Sequence, residues 1–419
     1  MLRIFNTLTK QKELFNPIDI KIVNIYVCGI TVYDYCHIGH ARTFTAFDMI
    51  IRYLQYLKYN TNYVRNITDI DDKIIYTAKK NKEDYYNLTN RMIFFMKRDF
   101  KKLGLLDPNF EPRVTDHISD IIHCINILIG KKFGYIANNG DVIFSVNHYQ
   151  NYGELSKQNI NKLKFSQDSN IFQKKCTQDF VLWKRVSKID TPNWDSPWGF
   201  GRPGWHIECS TFNHIFFGKN LDIHGGGSDL LFPHHENERA QSSALYNKNT
   251  YGKYWIHIGS ILVNNNKMSK SLNNTVFLYD ILKNYNSEII RYFFLSTHYR
   301  KPISFDEKKL YKAIFDLKKL YTVLNFIKDR DTVFNKTFSL QYQHFCAKFF
   351  DAMNNDFNTP HAISVLFALV KQINIHIRKK NKNLYIQLIY QLKFLANIIG
   401  LLNQHPQLFL NSLNEILKR

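Results

Sequence analysis

The amino-acid sequence predicts an α/β protein with a parallel sheet, an inserted region and a C-terminal helical bundle, and three observations lead to this fold class. A β-branched and aromatic segment over residues 22–27 runs through Gly29 towards a stretch with helical spacing. The pattern becomes less regular and rich in turn signals between about residues 120 and 200. From about residue 306 no glycine occurs before Gly400, and apolar residues recur at helical spacing.

Two strand–turn units form the first half of the predicted sheet. Residues 22–27 are expected to form a buried strand, and residues 41–57 the helix that follows the glycine turn. A second strand over residues 61–68 ends in an acidic turn over residues 69–72. A strand, a glycine turn and a helix in this order are typical of nucleotide-binding folds. We therefore expect a Rossmann-like catalytic domain.

Strong patterning resumes near Gly201 and continues into a run of three glycines at residues 225–227. The irregular region is therefore interpreted as an insertion between two halves of one domain. The predicted parts are the first half of the Rossmann-like domain (1–120), a connective insertion (121–200), the second half of the domain (201–260), a basic loop with the region after it (261–305) and a helical domain (306–419).

Composition limits the possible classes of protein. The 419 residues include 56 Lys and Arg against 35 Asp and Glu, a net charge of +21 that suggests a polyanionic partner such as nucleic acid. Enrichment in Lys, Asn and Ile could also raise the charge without any function, and this alternative stays open. The hydrophobic share of 45% excludes a disordered chain, and no apolar run approaches the ~18–20 residues of a membrane span. Six cysteines without a C-x-x-C pair favour a reducing, cytoplasmic location.

The tetrapeptide His37-Ile38-Gly39-His40 is the first candidate for chemistry. Its two imidazoles are three residues apart and therefore share one face of the first helical turn. Gly39 removes the side chain that would keep a flat base away from the backbone. A helix N-terminus with adjacent imidazoles suits a phosphate group.

The second candidate is the segment Lys267-Met268-Ser269-Lys270-Ser271, which follows three consecutive asparagines. Two ammonium groups three residues apart can neutralise the β- and γ-phosphates of ATP. A solvated basic loop is the alternative for such a segment taken alone.

In this order and about 230 residues apart, the two motifs resemble the signatures of class I aminoacyl-tRNA synthetases. The sequence around and between them is similar to the cysteinyl-tRNA synthetase family over residues 1 to about 400. The segments that carry this resemblance are residues 26–42, 65–73, 204–209, 222–229, 232–238 and 356–360.

The resemblance implies ATP-dependent attachment of L-cysteine to tRNA(Cys) through a cysteinyl-adenylate, with Mg²⁺ bound to ATP and the protein a monomer. It implies catalytic roles for four residues and ATP contacts for two more. The catalytic residues are His37, His40, Lys267 and Lys270, and Gly39 and Ser269 join them in binding ATP.

The resemblance also implies a zinc ion that selects the substrate thiol. The matching ligands are Cys28, Cys209, His234 and Glu238. From the residues alone, His234 and Glu238 share a helical face because they are four apart, and His235 remains an alternative ligand. The family's substrate contacts match Gly29, Thr68, Trp205, His224 and Asp229.

Fuller relatives continue into a small terminal domain that helps to read the anticodon, and we expect the helical domain here to lack it. Two other functions therefore stay open. One is a ligase of the same fold that joins cysteine to an amino-sugar carrier. The other is a non-catalytic RNA-binding paralogue.

Overall fold

The structure is a computed structural model that describes residues 1–158, 174–189, 191–247, 251–263, 266–268, 274–327 and 342–418. Its strands are β1 Arg3–Asn6, β2 Gln11–Leu14, β3 Ile22–Thr31, β4 Asn60–Thr68, β5 Gly134–Ile136, β6 Val142–Phe144, β7 Phe180–Arg185, β8 Gly201–Pro203, β9 Ile223–Gly227, β10 Tyr254–Ile258, β11 Ile261–Val263, β12 Asn266–Lys267 and β13 Ile303–Phe305. Its helices are α1 Ile38–Tyr56, α2 Asp72–Asn81, α3 Tyr85–Lys102, α4 Ile118–Gly130, α5 Trp205–Phe217, α6 Glu236–Tyr246, α7 Leu278–Asn284, α8 Ser287–Leu295, α9 Glu307–Leu324, α10 Gln343–Asn354, α11 Thr359–Arg378, α12 Lys382–Ile398 and α13 Pro406–Lys418.

Four parallel strands form the central sheet, in the order β10-β9-β3-β4. Val23, Ile25 and Val27 of β3 are completely buried, as expected for a parallel strand that is covered on both faces. The sheet confirms the predicted α/β class. The helix predicted over residues 41–57 begins earlier, at Ile38, because the side chains of His37 and His40 cap its first turn.

The region predicted to be less regular contains a small antiparallel sheet, in the order β5-β6-β7-β8, preceded by α4. Three of its strands have only three residues. Strands this short show too little alternation to be found by periodicity. Trp183 on β7 is completely buried and anchors the sheet.

The C-terminal region is helical, as predicted. Its helix α9 begins after Asp306, whose side chain accepts a hydrogen bond from the backbone N–H of Lys309 at 2.9 Å. The buried face of α9 includes Leu310, Ile314 and Leu317, at helical spacing. This helix packs against α8 and α13, and α11 packs against α10 and α12. Among the described helices, none is long and apolar enough to cross a membrane.

A buried ion pair joins the sheet domain to the bundle. The Asp48 carboxylate on α1 lies 2.6 Å from Nη2 of Arg291 on α8 and 2.8 Å from Nε of Arg52. Arg291 also donates from Nε to the carbonyl oxygen of Gly400 at 3.2 Å. Although burial opposes the shift, the two guanidinium groups hold the pKa of Asp48 below its ordinary value. The pair therefore holds α1 against the bundle.

We expect Arg291→Met to lower the free energy of unfolding by about 3–5 kcal/mol, because it leaves the buried Asp48 carboxylate with a single cationic partner, the partly exposed Arg52. Denaturant titration followed by circular dichroism measures this change. Arg52→Met is the matched control, since Arg52 contacts the same carboxylate but its side chain is 26% exposed. The control should cost about 1 kcal/mol or less. Equal losses in the two variants would contradict the interpretation.

Candidate active site

Four buried side chains from different parts of the fold meet at one end of the central sheet. Cys28 lies on β3 where its pairing with β4 is irregular, and Cys209 lies on α5. His234 lies in a wide helical turn over residues Leu231–His235, and Glu238 lies in the first turn of α6. None of the four is more than 4% exposed. The fold thus brings Cys28 and Cys209, which are far apart in the chain, to the neighbouring pair His234 and Glu238.

Gly29 is required beside this cluster. Its N–H donates to Oδ1 of Asn66 at 2.8 Å, and a Cβ at Gly29 would lie 1.6 Å from the carbonyl oxygen of Asn66. No side chain fits at that distance, so a glycine is needed for β3 to approach β4 here.

The spacing of the donor atoms fits a tetrahedral zinc ion. Zn–S bonds of about 2.3 Å and Zn–N bonds of about 2.0 Å place two sulfurs roughly 3.8 Å apart, and a sulfur and a nitrogen roughly 3.6 Å apart. The Sγ atoms of Cys28 and Cys209 are 3.8 Å apart, and Sγ of Cys209 is 3.6 Å from Nε2 of His234. Oε1 of Glu238 is 3.2 Å from Sγ of Cys28. The donor set could therefore hold a metal ion.

A second set of donors shares two members with the first. Nε2 of His235 lies 3.2 Å from Sγ of Cys28, and Nε2 of His224 lies 3.0 Å from Oε2 of Glu238. These four atoms also lie within 4.8 Å of one another. The first set contains two thiols, and soft thiolates favour zinc, so the chemistry of the donors favours the first set.

The cluster attracts positive charge. Although burial acts in the opposite direction, Glu238 and Cys209 raise the pKa of His234 to about 10. Burial also opposes a charged Glu238, but His234 and His224 hold the pKa of this carboxyl well below its ordinary value. A site that keeps His234 protonated in this way is suited to binding a cation.

Residues that the sequence did not point to support the cluster. Nδ1 of His206 lies 2.8 Å from Nδ1 of His234 and fixes the orientation of this ring. Nδ1 of His235 lies 2.8 Å from Nε2 of His257. His206 is three residues before Cys209 on α5, so this spacing could have identified it, whereas His257 has no such spacing to a predicted ligand.

A cavity of about 280 Å³ extends from the cluster to the start of α1. It is lined by Cys28 and Gly29 at one end and by His37, Gly39 and His40 at the other. Trp205, which stacks on His234 with ring centroids 4.1 Å apart, and Asp229 also line it. The segment from Ile258 to Ile261 forms another part of the wall.

Two of the predicted substrate contacts lie outside this lining. Thr68 is buried and donates from Oγ1 to Oε2 of Glu208 at 2.7 Å. His224 is completely buried and stacks on Trp255, with ring centroids 4.2 Å apart. His224 is next to the donor cluster, with Nε2 3.6 Å from Sγ of Cys28, whereas Thr68 contacts Glu208, the residue before Cys209.

The rings of His37 and His40 stack at the N-terminus of α1, with centroids 3.6 Å apart. Nδ1 of each ring accepts a hydrogen bond from the backbone N–H of the other residue, both at 3.3 Å. In the neutral rings the protons therefore lie on Nε2, so both rings are Nε2–H donors. The first turn of α1 contains no acidic residue, so the positive end of the helix dipole is not neutralised there.

The two signature motifs meet although they are about 230 residues apart. The N–H of Ile38 donates to the carbonyl oxygen of Val276 at 3.0 Å, and the N–H of Leu278 donates to that of Cys36 at 2.8 Å. Met268 lines the cavity next to Gly39. Ser269 and Lys270 lie outside the described residues, as does the side chain of Lys267.

Comparison with solved structures defines the fold. The Mycobacterium tuberculosis methionyl-tRNA synthetase in complex with methionyl-adenylate matches with a TM-score of 0.67 at 14% identity, over 95% of this chain and 93% of that one. The Agrobacterium radiobacter K84 LeuRS–tRNA–LeuAMS complex matches with a TM-score of 0.64 at 11% identity, over 96% and 86%. The fold is that of the class I aminoacyl-tRNA synthetases.

Sequence comparison specifies the family. Residues 14–314 match the model of the class I (C) tRNA synthetase catalytic domain, and residues 348–403 match the DALR domain. The chain is 51% identical to the cysteine–tRNA ligase of Buchnera aphidicola subsp. Acyrthosiphon pisum, over 98% of this chain and 87% of that protein. It is 50% identical to that of Histophilus somni strain 2336, over 98% and 88%. The chain belongs to the cysteine–tRNA ligase family, which confirms the resemblance.

Proposed function

We propose that the protein attaches L-cysteine to tRNA(Cys) in two steps, through a cysteinyl-adenylate formed from Mg²⁺-bound ATP. One observation carries the proposal: Cys28, a member of a donor cluster with two thiols, lines the same cavity as the paired histidines at the N-terminus of α1. The first feature suits a thiol-bearing amino acid and the second suits phosphates. The identity to the cysteine–tRNA ligases supports it.

Cys28, Cys209, His234 and Glu238 would hold zinc at the closed end of the cavity. When bound, zinc supplies a coordinate bond to the substrate thiolate that the hydroxyl of serine cannot match. Trp205 stands over this end as an aromatic wall. Among the described lining residues Asp229 is the carboxylate, and we assign it the hydrogen bonds from the ribose hydroxyls or the ammonium group of the substrates.

In the first step, a carboxylate oxygen of cysteine attacks the α-phosphorus of ATP, and the bond from that phosphorus to pyrophosphate breaks. No general base is needed because the nucleophile is already ionised. His37 and His40 donate from Nε2 to the phosphate oxygens as charge develops, next to the helix N-terminus. From their positions in the second signature motif, we assign Lys267 and Lys270 to binding the leaving pyrophosphate and Ser269 to binding ATP.

In the second step, the terminal 2′-hydroxyl oxygen of the tRNA attacks the carbonyl carbon of the adenylate. The carbon–oxygen bond to AMP breaks, the hydroxyl proton is released and the ester forms. The roles of the cavity in this step are to hold the carbonyl in place and to exclude water.

Pyrophosphate exchange with cysteine and with serine tests the proposal. The zinc-loaded protein should exchange with cysteine and discriminate against serine by on the order of 10⁴, because a site that reads a specific polar group rejects an analogue without it. Exchange with both amino acids at similar kcat/KM would refute selection by the thiol. Labelled cysteine transferred to an amino-sugar acceptor but not to tRNA would identify the other ligase of this fold.

A further inference from the structure

Asp356 is the first residue of the motif over residues 356–360, in the loop between α10 and α11, and the proposed chemistry does not use it. It is completely buried and has a φ of 62°, a left-handed conformation that is uncommon for residues other than glycine. Its carboxylate nevertheless contacts groups outside the bundle. Oδ1 accepts from the N–H of Phe5 at 2.9 Å and from the hydroxyl of Tyr299 at 2.6 Å, and Oδ2 accepts from Nε of Arg300 at 2.7 Å.

Two of the residues that Asp356 holds, Tyr299 and Arg300, belong to the loop between α8 and β13, and this loop supports one wall of the cavity at the start of α1. The carbonyl oxygen of Tyr299 accepts from the N–H of Gly259 at 2.8 Å. The carbonyl oxygen of Lys301 accepts from the guanidinium of Arg42 on α1, whose Nη1 also donates to the carbonyl oxygen of Ser260 at 2.8 Å. Both Gly259 and Ser260 line the cavity.

The contact between the loop and the wall is tight. A Cβ at Gly259 would lie 2.4 Å from the carbonyl oxygen of Lys301 and 2.8 Å from that of Arg300. Backbone therefore packs directly on backbone, without a side chain that could absorb a shift. Movement of the loop is transmitted to the wall.

The loop over residues 298–301 is also followed by β13, a strand that helps to position the start of the lysine motif at Lys267. It continues into β13, which pairs in parallel with β11, and β11 pairs with β12 at the start of the lysine motif. Ile303 opposite Ile261 begins the first pairing, and Leu262 opposite Lys267 belongs to the second. The place of the lysine motif relative to α1 thus depends on the loop as well.

We propose that Asp356 is a positioning residue for ATP: from within the helical bundle, it fixes the loop over residues 298–301, which in turn sets the wall at Gly259 and Ser260. The inference rests on the proposed function, because it assigns that wall to the nucleotide. The contacts of the Asp356 carboxylate described above do not reach the donor cluster itself, and Tyr299 and Arg300 lead from it to the nucleotide wall, so Asp356 should act on ATP and change cysteine binding little.

Asp356→Asn tests this assignment, because Asn keeps the shape of the side chain while it removes the negative charge and sets an amide nitrogen beside Arg300. In pyrophosphate exchange we expect KM for ATP to rise about tenfold or more, with KM for cysteine within twofold of the wild-type value. Calorimetry with a non-hydrolysable ATP analogue should show the same rise in Kd. If Asp356→Asn does not fold, Arg300→Met should raise KM for ATP in the same selective way, since Arg300 is 32% exposed.

Glu288→Gln is the matched control. Glu288 is also a buried carboxylate, which accepts from the hydroxyl of Tyr321 at 2.8 Å and from the N–H of Leu402 at 2.7 Å, but none of its recorded contacts reaches the loop over residues 298–301. The Glu288→Gln variant should have a lower melting temperature than the wild type, and the ratio of its KM for ATP to its KM for cysteine should be unchanged.

Equal rises in KM for ATP and for cysteine, or a lower melting temperature with both KM values and the Kd for the analogue unchanged, would overturn the assignment. Failure of the proposed function is distinguishable, because it would show as wild-type protein that binds the analogue without cysteine-dependent exchange. The change in Kd between wild type and Asp356→Asn still decides the inference in that case.

Discussion

Cys209→Ser should abolish stoichiometric zinc binding and lower cysteine-dependent pyrophosphate exchange by at least about 10²–10³-fold. Loss of a residue behind the ligands typically costs 10–100-fold in metal affinity, and loss of a ligand should cost more. The sulfur of Cys209 is 3.8 Å from that of Cys28 and 3.6 Å from Nε2 of His234, and its replacement by a hydroxyl leaves this donor set with one thiol, Cys28. Zinc content by mass spectrometry and exchange kinetics measure the two effects.

Cys124→Ser is the matched control for this change. Cys124 is a completely buried thiol on α4 that is not part of either donor set. It should retain one zinc per chain and near-normal exchange. A Cys209→Ser protein that keeps its zinc and its activation of cysteine would refute the assignment of the ligands.

His37→Asn should slow adenylate formation by roughly 10²–10³-fold, the usual cost of losing one donor to a transition state. Asn is chosen because His37 is also the N-cap of α1, where its side chain accepts from the N–H of His40. Asn is a good N-cap, so the helix should still begin at the same residue while the imidazole is lost. Single-turnover kinetics with cysteine and ATP measure the rate.

The melting temperature and the zinc content of His37→Asn should stay close to those of the wild type. The reduced rate would then report the loss of the imidazole and not a displaced helix. A rate within a few-fold of the wild-type rate would show that His37 takes no part in stabilising the developing charge.

The predicted fold and the structure agree where local sequence determines the element. The apolar run from residue 22 and the helical spacing from residue 41 correspond to β3 and α1, and helical spacing after residue 306 corresponds to α9. The small antiparallel sheet was missed because three-residue strands are stabilised by their partners and not by a pattern of their own.

The candidate site was accessible only in part from the sequence. The four-residue spacing of His234 and Glu238 correctly predicts that their side chains meet, at 2.8 Å, although His234 precedes α6 in a wider turn. Cys28 and Cys209 came from family resemblance, because nothing local in the chain relates two residues on β3 and α5. The 298–301 loop was missed because its contacts depend on tertiary packing, whereas His206 is one helical turn before Cys209 and could have been found from that spacing.

Charging of tRNA(Cys) is the most direct test of the whole assignment. Zinc-loaded protein, incubated with ATP, labelled L-cysteine and a tRNA(Cys) transcript, should form a base-labile cysteinyl ester, and it should form none with a transcript that ends in a 2′-deoxyadenosine. Cysteine-dependent pyrophosphate exchange without transfer to any tRNA would contradict the assignment, because the adenylate would then serve a different acceptor.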